Sequence, residues 1–486
     1  MINDPLKLDQ HSEFEGFWWL PDKPDEKVPG ILRYEPGSGL SLSLIGGFED
    51  RITSSPSPGV TTIHAGSRSW KIIYGMANRR EITLIDCVPI KTNGFFWEIE
   101  KQIITATLSL VGVYIGDKND SVFSSVEVSV EDLDVWAGND IFQITEKEDS
   151  ENFNITVKRP NVRSVMVGEI EYQLINRGTL TIADQRKGDI TTSIAGAVSV
   201  KAVPKELFSM DAAKKTANLI QDLISLATHC SSGMLWFRLE VPKPQGLEIK
   251  KSGRTVSHYV DVLFEPLVLG SHDARAVDRH RVFFTCDSFP FEQVIPRWCE
   301  IYEQLRAPIS MILSLRYSSG GYIENNILTA AGAAEVLHRG LKIDKKPFPT
   351  GEFKKIRDSL LACAPEEYRA RLKSTIRNDP TLRDRLKDLV ERLDDDVVAQ
   401  LVPDVERWSK RTVQARNNLA HQGETPKHEF EELIAIVDVT MAIVLLNILN
   451  ELGLRSERQI KLVSENPNFS MIGQRAREHF SDGIET

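Results

Sequence analysis

Short segments in which apolar and polar residues alternate fill the chain from Phe14 to about Val203. They are rich in Val, Ile, Thr and aromatic residues, and clusters of Gly, Pro and Ser separate them, which is typical of β-strands joined by turns. The clearest of these segments are residues 40–45, 82–85, 126–130 and 154–157. The pattern predicts a β-rich domain with a sandwich-like arrangement of strands.

The spacing of apolar residues changes near Pro204. Leucine and alanine side chains then recur at roughly helical intervals until Gly233, which predicts one helix that closes the β-rich region. Strand-like stretches follow at residues 234–241 and 259–264. We expect them to complete the same domain.

After Pro290 the apolar residues recur at helical spacing almost throughout. The predicted helices span residues 291–317, 323–339, 351–363, 365–377, 380–393, 403–422 and 428–452. Pro365 and Pro380 suit first-turn positions, and the short break at Gly423 and Pro426 is typical of a loop between antiparallel helices. The predicted fold class is therefore α+β, with a β-rich domain in residues 1–290 and an all-α helical bundle in residues 291–486.

Several features of the chain exclude other classes of protein. The longest apolar stretch, residues 433–449, contains Asp438 and Asn447, so it is predicted to be a buried helix rather than a lipid-facing one. The first ten residues lack the basic start and apolar run of a secretory signal. The five cysteines are scattered and never spaced as C-x-x-C, which argues against a disulfide framework and a zinc site. We expect a cytoplasmic protein without a membrane partner, a metal or a cofactor.

The formal net charge of −10 argues against a general nucleic-acid coat protein, because phosphate binding needs clustered Lys and Arg. One region differs from this average. Residues 339–427 contain 20 Lys and Arg against 15 Asp and Glu, a local charge of +5 that leaves −15 for the rest. Any contact with RNA is therefore predicted in this region.

Arg416 and His421 lie five positions apart in this region, and Asn417 directly follows the arginine. The spacing alone is weak, since Arg275 and His280 repeat it in a turn-like segment that we interpret as a surface loop. Arg416, in contrast, lies on a predicted helix whose apolar positions recur at three and four residues. The helical context therefore favours the pair formed by Arg416 and His421.

At about 100° per residue, one side of this helix is polar and lies opposite the apolar stripe, while Arg416 lies on the flank between them. The polar side consists of Lys410, Gln414, Asn417 and His421. A solvated helix face explains such a stripe equally well. His421, however, occupies the last turn before Gly423, where the helix dipole interacts favourably with a cationic side chain.

The segment Arg416-Asn-Asn-Leu-Ala-His421 fits the Arg-x-x-x-x-His pattern of HEPN domains. The helical half resembles the Apea-like HEPN domain, and residues 327–339, ILTAAGAAEVLHR, resemble its acidic upstream helix with Glu335 at the acidic position. The N-terminal half resembles the domain that precedes this module, in residues 14–21, FEGFWWLP, and in the helix-then-strand passage 204–239. Over most of its length, the chain is thus similar to Apea-like HEPN ribonucleases of bacterial anti-phage defence.

The resemblance implies a metal-independent endoribonuclease acting in abortive infection. The ribose 2′-OH would attack the adjacent phosphate, His421 would move the proton and Arg416 would stabilise charge on the phosphate oxygens. Asn417 would hold the phosphate or the ribose, and Glu335 would orient Arg416 or His421. Lys410 and Gln414 are the predicted RNA-binding residues. For Glu335, an exposed ion pair with Arg339 is the alternative, and for Asn417 a solvated helix position.

One motif offers one histidine, whereas acid–base catalysis needs an acid and a base. HEPN domains commonly dimerise so that two motif helices face each other, so the resemblance implies a composite site in a homodimer or higher homo-oligomer. RNA such as tRNA is the expected substrate, and the β-rich domain is expected to sense a phage-derived trigger. The rival hypothesis is a non-catalytic HEPN module that binds RNA or protein, with a β domain that recognises a partner.

Overall fold

The computed structural model describes residues 4–48, 52–57, 60–64, 69–93, 101–138, 142–146, 153–157, 162–184, 190–242, 258–268, 277–317 and 321–481. The chain divides into two compact units, Met1–Pro296 and Arg297–Thr486. Arg275, one of the residues weighed above, lies outside the described residues, and His280 lies in an exposed single 3-10 turn, Arg279–Arg281.

The first unit consists mainly of β-strands, as predicted. The strands are β1 Ser12–Trp19, β2 Val28–Glu35, β3 Gly39–Ile45, β4 Ile52–Ser57, β5 Val60–His64, β6 Trp70–Ala77, β7 Arg80–Asn93, β8 Lys101–Val111, β9 Ser125–Val130, β10 Phe142–Glu146, β11 Phe153–Val157, β12 Arg163–Val167, β13 Ile170–Asp184, β14 Ile190–Pro204, β15 Met234–Val241 and β16 His258–Phe264. Two helices interrupt them, α1 Leu133–Ala137 and α2 Met210–Thr228.

Twelve of the described strands form one sheet, in the order β12-β13-β14-β9-β15-β16-β8-β3-β2-β1-β6-β7. Because β7 also pairs with β8, the six strands from β8 to β7 close into an antiparallel barrel, and the other six extend from β8 as an open sheet. The hairpins β4–β5 and β10–β11 pair separately. The β-rich prediction is confirmed, and the sheet takes the form of a barrel with an open extension.

The alternation of apolar and polar residues in the sequence determines which side of each barrel strand is buried. In β3, Leu40, Leu42 and Leu44 are buried, whereas the serines between them are half-exposed. Trp18 fills the barrel interior at 0% exposure, and its indole N–H donates to the Gly30 carbonyl at 3.1 Å. Gly75 lies against this ring, since a Cβ there would come within 2.3 Å of it.

The predicted helix after Pro204 is α2, which begins where the Ser209 hydroxyl accepts a hydrogen bond from the Ala212 N–H at 3.3 Å. Its buried side includes Ala213, Ala217, Ile220 and Leu223. The strands β15 and β16 follow it and join the twelve-stranded sheet, in agreement with the prediction that they belong to the same domain.

The rest of the chain is helical, as predicted. The helices are α3 Phe291–Gln304, α4 Arg306–Tyr317, α5 Ile323–Gly340, α6 Thr350–Cys363, α7 Glu366–Thr375, α8 Leu382–Val390, α9 Asp395–Leu401, α10 Val405–Gln422, α11 Phe430–Leu452, α12 Ser456–Glu465 and α13 Pro467–Phe480. The predicted helix over 291–317 is two helices, α3 and α4. Pro365 is the N-cap of α7. Thr381, which follows Pro380, is the N-cap of α8, and its side chain forms a capping box with Asp384.

Helix α11 forms the core of the second unit. It is long and apolar enough to cross a membrane by length and composition, but 83% of its most apolar window is buried. Two polar residues within it have partners in the bundle: Asn447 donates to the Leu389 carbonyl at 2.9 Å, and Asp438 pairs with Arg475 at 2.5 Å. Helix α11 contacts α4, α5, α8, α10 and α13. The predicted buried helix is therefore confirmed.

Helices α9 and α13 approach each other closely at a glycine. A Cβ at Gly473 would lie 2.3 Å from the Gln400 backbone carbonyl, so no side chain fits there without moving α9. Gly351, in contrast, lies in the exposed first turn of α6, where an added Cβ would meet nothing within 4 Å. The two glycines therefore form a matched pair for a stability test.

We predict that Gly473→Ala lowers the free energy of unfolding by about 1–3 kcal/mol, because overpacking displaces backbone. Gly351→Ala should raise it by about 0.5 kcal/mol, because alanine restricts the unfolded chain and suits a helix. Urea unfolding followed by circular dichroism measures both changes. Equal effects of the two substitutions would contradict the close approach at Gly473.

Candidate functional site

Helix α10 has well-defined ends. The Asp404 carboxylate accepts a hydrogen bond from the Arg407 backbone N–H at 2.8 Å, which caps the first turn. At the other end Gly423 adopts a φ of 75°, a conformation that strains other residues, and its N–H donates to the Leu419 carbonyl at 3.1 Å. His421 lies in the last turn of the helix.

One side of α10 is buried and fixes which residues face outward. The buried residues are Trp408, Ser409, Thr412, Ala415 and Leu419. Lys410, Asn417 and His421 are exposed, and Gln414 and Arg416 are half-buried. The structure thus places the predicted site residues of α10 outside the apolar core.

Arg416 lies on the side of α10 that faces α5. Its Nη1 donates to Asn417 Oδ1 at 3.1 Å, and its Nη2 lies 4.0 Å from Glu335 Oε2. The Arg416 side chain remains 38% exposed, so the guanidinium keeps donors available to a ligand. Three of the predicted site residues, Glu335, Arg416 and Asn417, are therefore brought together.

Glu335 is shared between two arginines. Its Oε1 accepts a hydrogen bond from Arg339 Nη2 at 2.6 Å on the same helix, while its other oxygen faces Arg416. The pair with Arg339 is exposed and contributes little to stability. Both interpretations of Glu335 that the sequence left open are present in the geometry, and the shorter distance is the one to Arg339.

His421 is not joined to this group. Its ring has no hydrogen bond or ion pair with any residue that the structure describes, and its side chain is exposed. Five helical positions separate it from Arg416, which corresponds to about 140° around the axis and about 7.5 Å along it. The imidazole and the guanidinium of one copy therefore point in different directions.

The two predicted RNA-binding residues differ in their surroundings. Lys410 is exposed and forms no ion pair with the described residues. Gln414 Oε1 accepts a weak hydrogen bond from Arg411 Nη1 at 3.4 Å. Both side chains lie on the outward side of α10, as do Asn417 and His421.

Arg411 ties the loop that follows His421 back to the helix. Its guanidinium binds both carboxylate oxygens of Glu432 on α11, and its Nη2 donates to the Lys427 carbonyl at 2.7 Å. The His428 ring donates from Nε2 to the Arg411 carbonyl at 3.2 Å. Burial lowers the pKa of His428, and the nearby Arg411 charge acts in the same direction. These interactions fix the chain on both sides of the last turn of α10.

A second polar cluster links α5 to α8 near Glu335. His338 is 1% exposed; its Nε2 lies 2.9 Å from Asp388 Oδ2, and its Nδ1 lies 3.0 Å from Arg385 Nη1. Lys345 completes the cluster, with Nζ 3.1 Å from Asp388 Oδ1 and a further ion pair to Glu391. Because His338 is three residues after Glu335, the cluster fixes the rotation of α5 and thereby the side on which Glu335 emerges.

The hydrogen bonds of His338 determine its protonation. A guanidinium only donates, so Nδ1 must accept, and the Nε2–H donates to Asp388, which defines the neutral Nε2–H tautomer. Burial lowers the pKa of His338, and Arg385 acts in the same direction, while the hydrogen bond to Asp388 opposes them. His338 is therefore a neutral histidine inside a charged cluster.

Sequence reasoning did not identify His338, Arg385, Asp388 or Arg411 as residues that hold the site. The signal available for His338 was its place three residues after Glu335 on the same predicted helix. No comparable signal joined Arg411 to Glu432, since the two residues lie on different helices and meet only in the folded bundle.

No group of three or more His, Cys, Asp or Glu side chains among the described residues has an arrangement that could hold a metal ion. The acidic run at 394–396 begins α9 instead, where the Asp394 carboxylate accepts a hydrogen bond from the Asp396 N–H at 3.0 Å. Such a run suits a helix N-terminus because it satisfies free backbone donors and complements the dipole.

Comparison with known families gives two matches. The sequence model described as ApeA N-terminal domain 1 matches residues 13–298, and the model described as Apea-like HEPN matches residues 328–458. The second range includes Glu335 and all of α10. No curated protein and no solved structure matches the chain.

The neutral state of His338 leads to a pH-dependent stability. The unfolded chain takes up a proton on this histidine near pH 6.5, whereas the folded chain resists protonation. The free energy of unfolding should therefore be unaffected by His338 at alkaline pH and fall as the pH drops through about 6.5 toward the lower folded pKa.

We predict that His338→Gln, whose amide can accept from Arg385 and donate to Asp388 as the neutral ring does, reduces this fall. The fall is measured by thermal unfolding of the wild-type protein and His338→Gln between pH 7.5 and pH 5.5. These limits lie roughly one pH unit on either side of the ordinary histidine pKa. His428 is present in both proteins and serves as an internal control. An equally large decrease in Tm for both would show that His338 is not the titrating group.

Proposed function

Because the chain belongs to the family that combines an ApeA N-terminal domain with an Apea-like HEPN domain, we propose that it is an endoribonuclease of bacterial anti-phage defence that acts in abortive infection. The site that we assign to this activity is the outward side of α10 together with Arg416 on the adjoining side that faces α5. The match to ApeA N-terminal domain 1, at residues 13–298, covers more than half of the chain by itself. It supports the defence role, while the chemistry rests on the residues.

The proposal rests on the exposure of Arg416 and His421 and on the contacts that these two side chains make. The arginine is held from behind by Glu335 and Asn417 but stays partly exposed, and the imidazole projects into solvent without a partner among the described residues. An arginine or histidine buried for a structural role would have its donors satisfied within the fold. Two polar groups that remain available near the end of one helix suit binding and proton transfer on an external substrate.

In the proposed reaction the RNA supplies its own nucleophile. The ribose 2′-OH attacks the adjacent phosphorus as its proton passes to a base, the bond to the 5′-oxygen of the next nucleotide breaks, and that oxygen receives a proton from an acid. His421 moves the proton because imidazole titrates near neutral pH. Arg416 stabilises the charge that develops on the non-bridging oxygens. The mechanism needs no metal-bound nucleophile, so we propose metal-independent cleavage.

The remaining predicted residues take supporting roles in this proposal. Asn417 lies beside the Arg416 guanidinium and offers its amide to the phosphate or the scissile ribose. Lys410 and Gln414 face outward on the preceding turns and contact the RNA backbone on one side of the cleaved bond. Glu335 restrains Arg416 from the side of α5.

A second copy of the chain completes the site that we propose. Within one copy the Arg416 and His421 directions differ by about 140°, and one histidine cannot act as acid and base at once. A two-fold axis beside the outward side of α10 would place two such helices face to face and supply both groups. We therefore propose a homodimer, or a higher homo-oligomer built from it, with composite sites.

The N-terminal unit is proposed to sense infection and regulate the nuclease, which keeps a basal activity without the trigger. It matches the ApeA N-terminal domain and carries 31 Lys and Arg against 40 Asp and Glu in residues 1–296, so it repels rather than attracts RNA. We propose a phage-derived trigger for this unit, structured RNA such as tRNA for the nuclease, and the cytoplasm as the place of action.

We predict that the purified full-length protein cleaves tRNA in the presence of EDTA and that His421→Ala lowers the rate at least about 100-fold, the usual loss of a general acid–base group. Arg416→Lys should also lose most activity, since lysine keeps the charge but not the planar fork that spans two phosphate oxygens. Gel analysis of labelled tRNA measures both rates. Cleavage by wild-type protein and His421→Ala alike, or by neither, would contradict the assignment, and intact RNA that stays tightly bound would favour a non-catalytic binding module.

The shared position of Glu335 leads to a paired prediction. Glu335→Gln should lower the cleavage rate about tenfold, because the Arg416 guanidinium loses the charge that restrains it. Arg339→Gln should leave the rate unchanged or raise it, since Glu335 is then free to pair fully with Arg416. Single-turnover rates with tRNA measure both. If Glu335 serves only the exposed pair with Arg339, neither substitution alters cleavage.

A further inference from the structure

Helices α6 and α7 form a hairpin that has no buried side chain. Helix α6 packs chiefly on α7, and Phe353, Arg357 and Leu361 are its half-buried residues. Every other helix in the second unit buries several side chains. The hairpin is therefore an arm that stands away from the core of its unit and leaves its outer surface exposed.

The arm has a defined base and tip. At the base the Phe348 backbone N–H donates to Asn378 Oδ1 at 3.1 Å, and Asn378 Nδ2 returns a hydrogen bond to the Phe348 carbonyl at 2.8 Å. At the tip Arg369 donates to the Ala364 and Ala362 carbonyls at 2.9 and 3.2 Å, which closes the end of α6. All of these hydrogen bonds lie within the arm and its base, so they hold its shape locally.

The outer surface combines apolar and cationic side chains. Ile356 and Leu360 of α6 and Tyr368 and Leu372 of α7 are 38–55% exposed. At about 100° per residue, Arg369 and Arg371 border the α7 part of this stripe on both of its sides. On α6, Lys354 and Lys355 lie further around the helix, and Glu352 in the first turn lies closer to the stripe. Like charges on both borders of the α7 part disfavour pairing with the same arm of a second copy.

The arm and its base account for the basic region seen in the sequence. Residues 342–377 contain ten Lys and Arg against five Asp and Glu, which equals the whole +5 of residues 339–427. Lys354, Lys355, Arg371 and Lys373 form no ion pair with the described residues, and all four are exposed. In a chain of net charge −10, these are cations available to an anionic partner.

We propose that the α6–α7 arm docks RNA, with its lysines and arginines on the phosphate backbone and Tyr368 with its apolar neighbours against unpaired bases. This inference rests on the proposed function and extends the substrate-binding surface beyond α10. Phosphate contacts supply sequence-independent affinity, and an exposed aromatic ring suits base stacking.

The position of the arm relative to α10 supports this extension. Helix α8 follows the arm, and its Arg383 and Lys387 both pair with Glu406 in the first turn of α10. The base of the arm therefore lies toward the start of α10, and His421 lies about 22 Å further along the helix. Lys410 is exposed between these two points. An RNA held by the arm can thus run along the outward side of α10 to the cleavage site.

The test uses the full chain with His421→Ala, so that binding is measured without cleavage. Lys354→Gln, Lys355→Gln, Arg371→Gln and Lys373→Gln are combined in one variant. Its control removes four other positive charges, on side chains that are 37–75% exposed, by Lys23→Gln, Lys118→Gln, Lys205→Gln and Lys461→Gln, and so has the same net charge. Affinity for a fluorescent tRNA transcript is measured by anisotropy over a range of salt concentrations, and the mass of each protein by sedimentation.

The arm variant is expected to bind at least about tenfold more weakly than the control. The slope of the logarithm of its binding constant against the logarithm of the salt concentration should be less steep, by about 0.7–0.9 for each phosphate that the arm no longer neutralises. Its Tm should match the control, because none of the four side chains is buried.

Equal RNA affinity of the arm variant and the control would overturn the proposal that the arm docks RNA. A monomeric arm variant beside an oligomeric control, with equal RNA affinity, would overturn it too and assign the arm to the interface between copies. If the arm variant binds weakly but the parent protein without His421→Ala cuts no RNA, the nuclease proposal fails while the docking arm stands.

Discussion

The buried side of α10 is the constraint on which the rest of the second unit depends. Trp408, Thr412, Ala415 and Leu419 fix the rotation of this helix against α5, α8 and α11. A helix with a 3.6-residue period has no freedom to turn one group inward without turning another outward. Once Trp408 is at 0% exposure, Asn417 and His421 must face away from the core. The outward side of α10 is therefore a consequence of packing, and its chemistry follows from which residues occupy it.

Polar interactions then refine what packing leaves open. The cluster of His338, Arg385 and Asp388 sets the rotation of α5, so that Glu335 meets Arg416, while the hydrogen bonds of Arg411 to Glu432 and Lys427 hold the chain after His421. Buried polar groups are costly unless each finds a partner, and satisfied clusters specify one arrangement of helices. Each cluster contains a histidine with a lowered pKa: His338 bridges Arg385 and Asp388, and His428 donates to the Arg411 carbonyl. The exposed His421 differs from them in having no partner among the described residues.

Much of the architecture was predictable from local patterns. Alternation identified β3 and parts of β7, β9 and β11. Helical spacing placed α5, α10 and α11 to within two residues at each end, because caps such as Asp404 and Gly423 are local signals. The closure of the barrel depends on the pairing of β7 with β8, and the approach of Glu335 to Arg416 depends on the packing of α5 on α10, neither of which has a local signature. The exposure of Ile356 and Leu360 was also hidden, since an apolar stripe at helical spacing ordinarily predicts a buried face.

A composite site requires that the outward sides of two α10 helices face each other, and the distance between copies tests this most directly. A spin label on Lys410→Cys, in a protein whose exposed Cys363 is replaced by Ser, reports that distance by double electron–electron resonance. Two facing helices lie about 10 Å apart between axes, and an 18-residue helix is about 27 Å long, so we expect a dipolar coupling between copies that corresponds to at most a few tens of ångströms. Absence of coupling between copies in an RNA-cleaving sample would contradict the composite site.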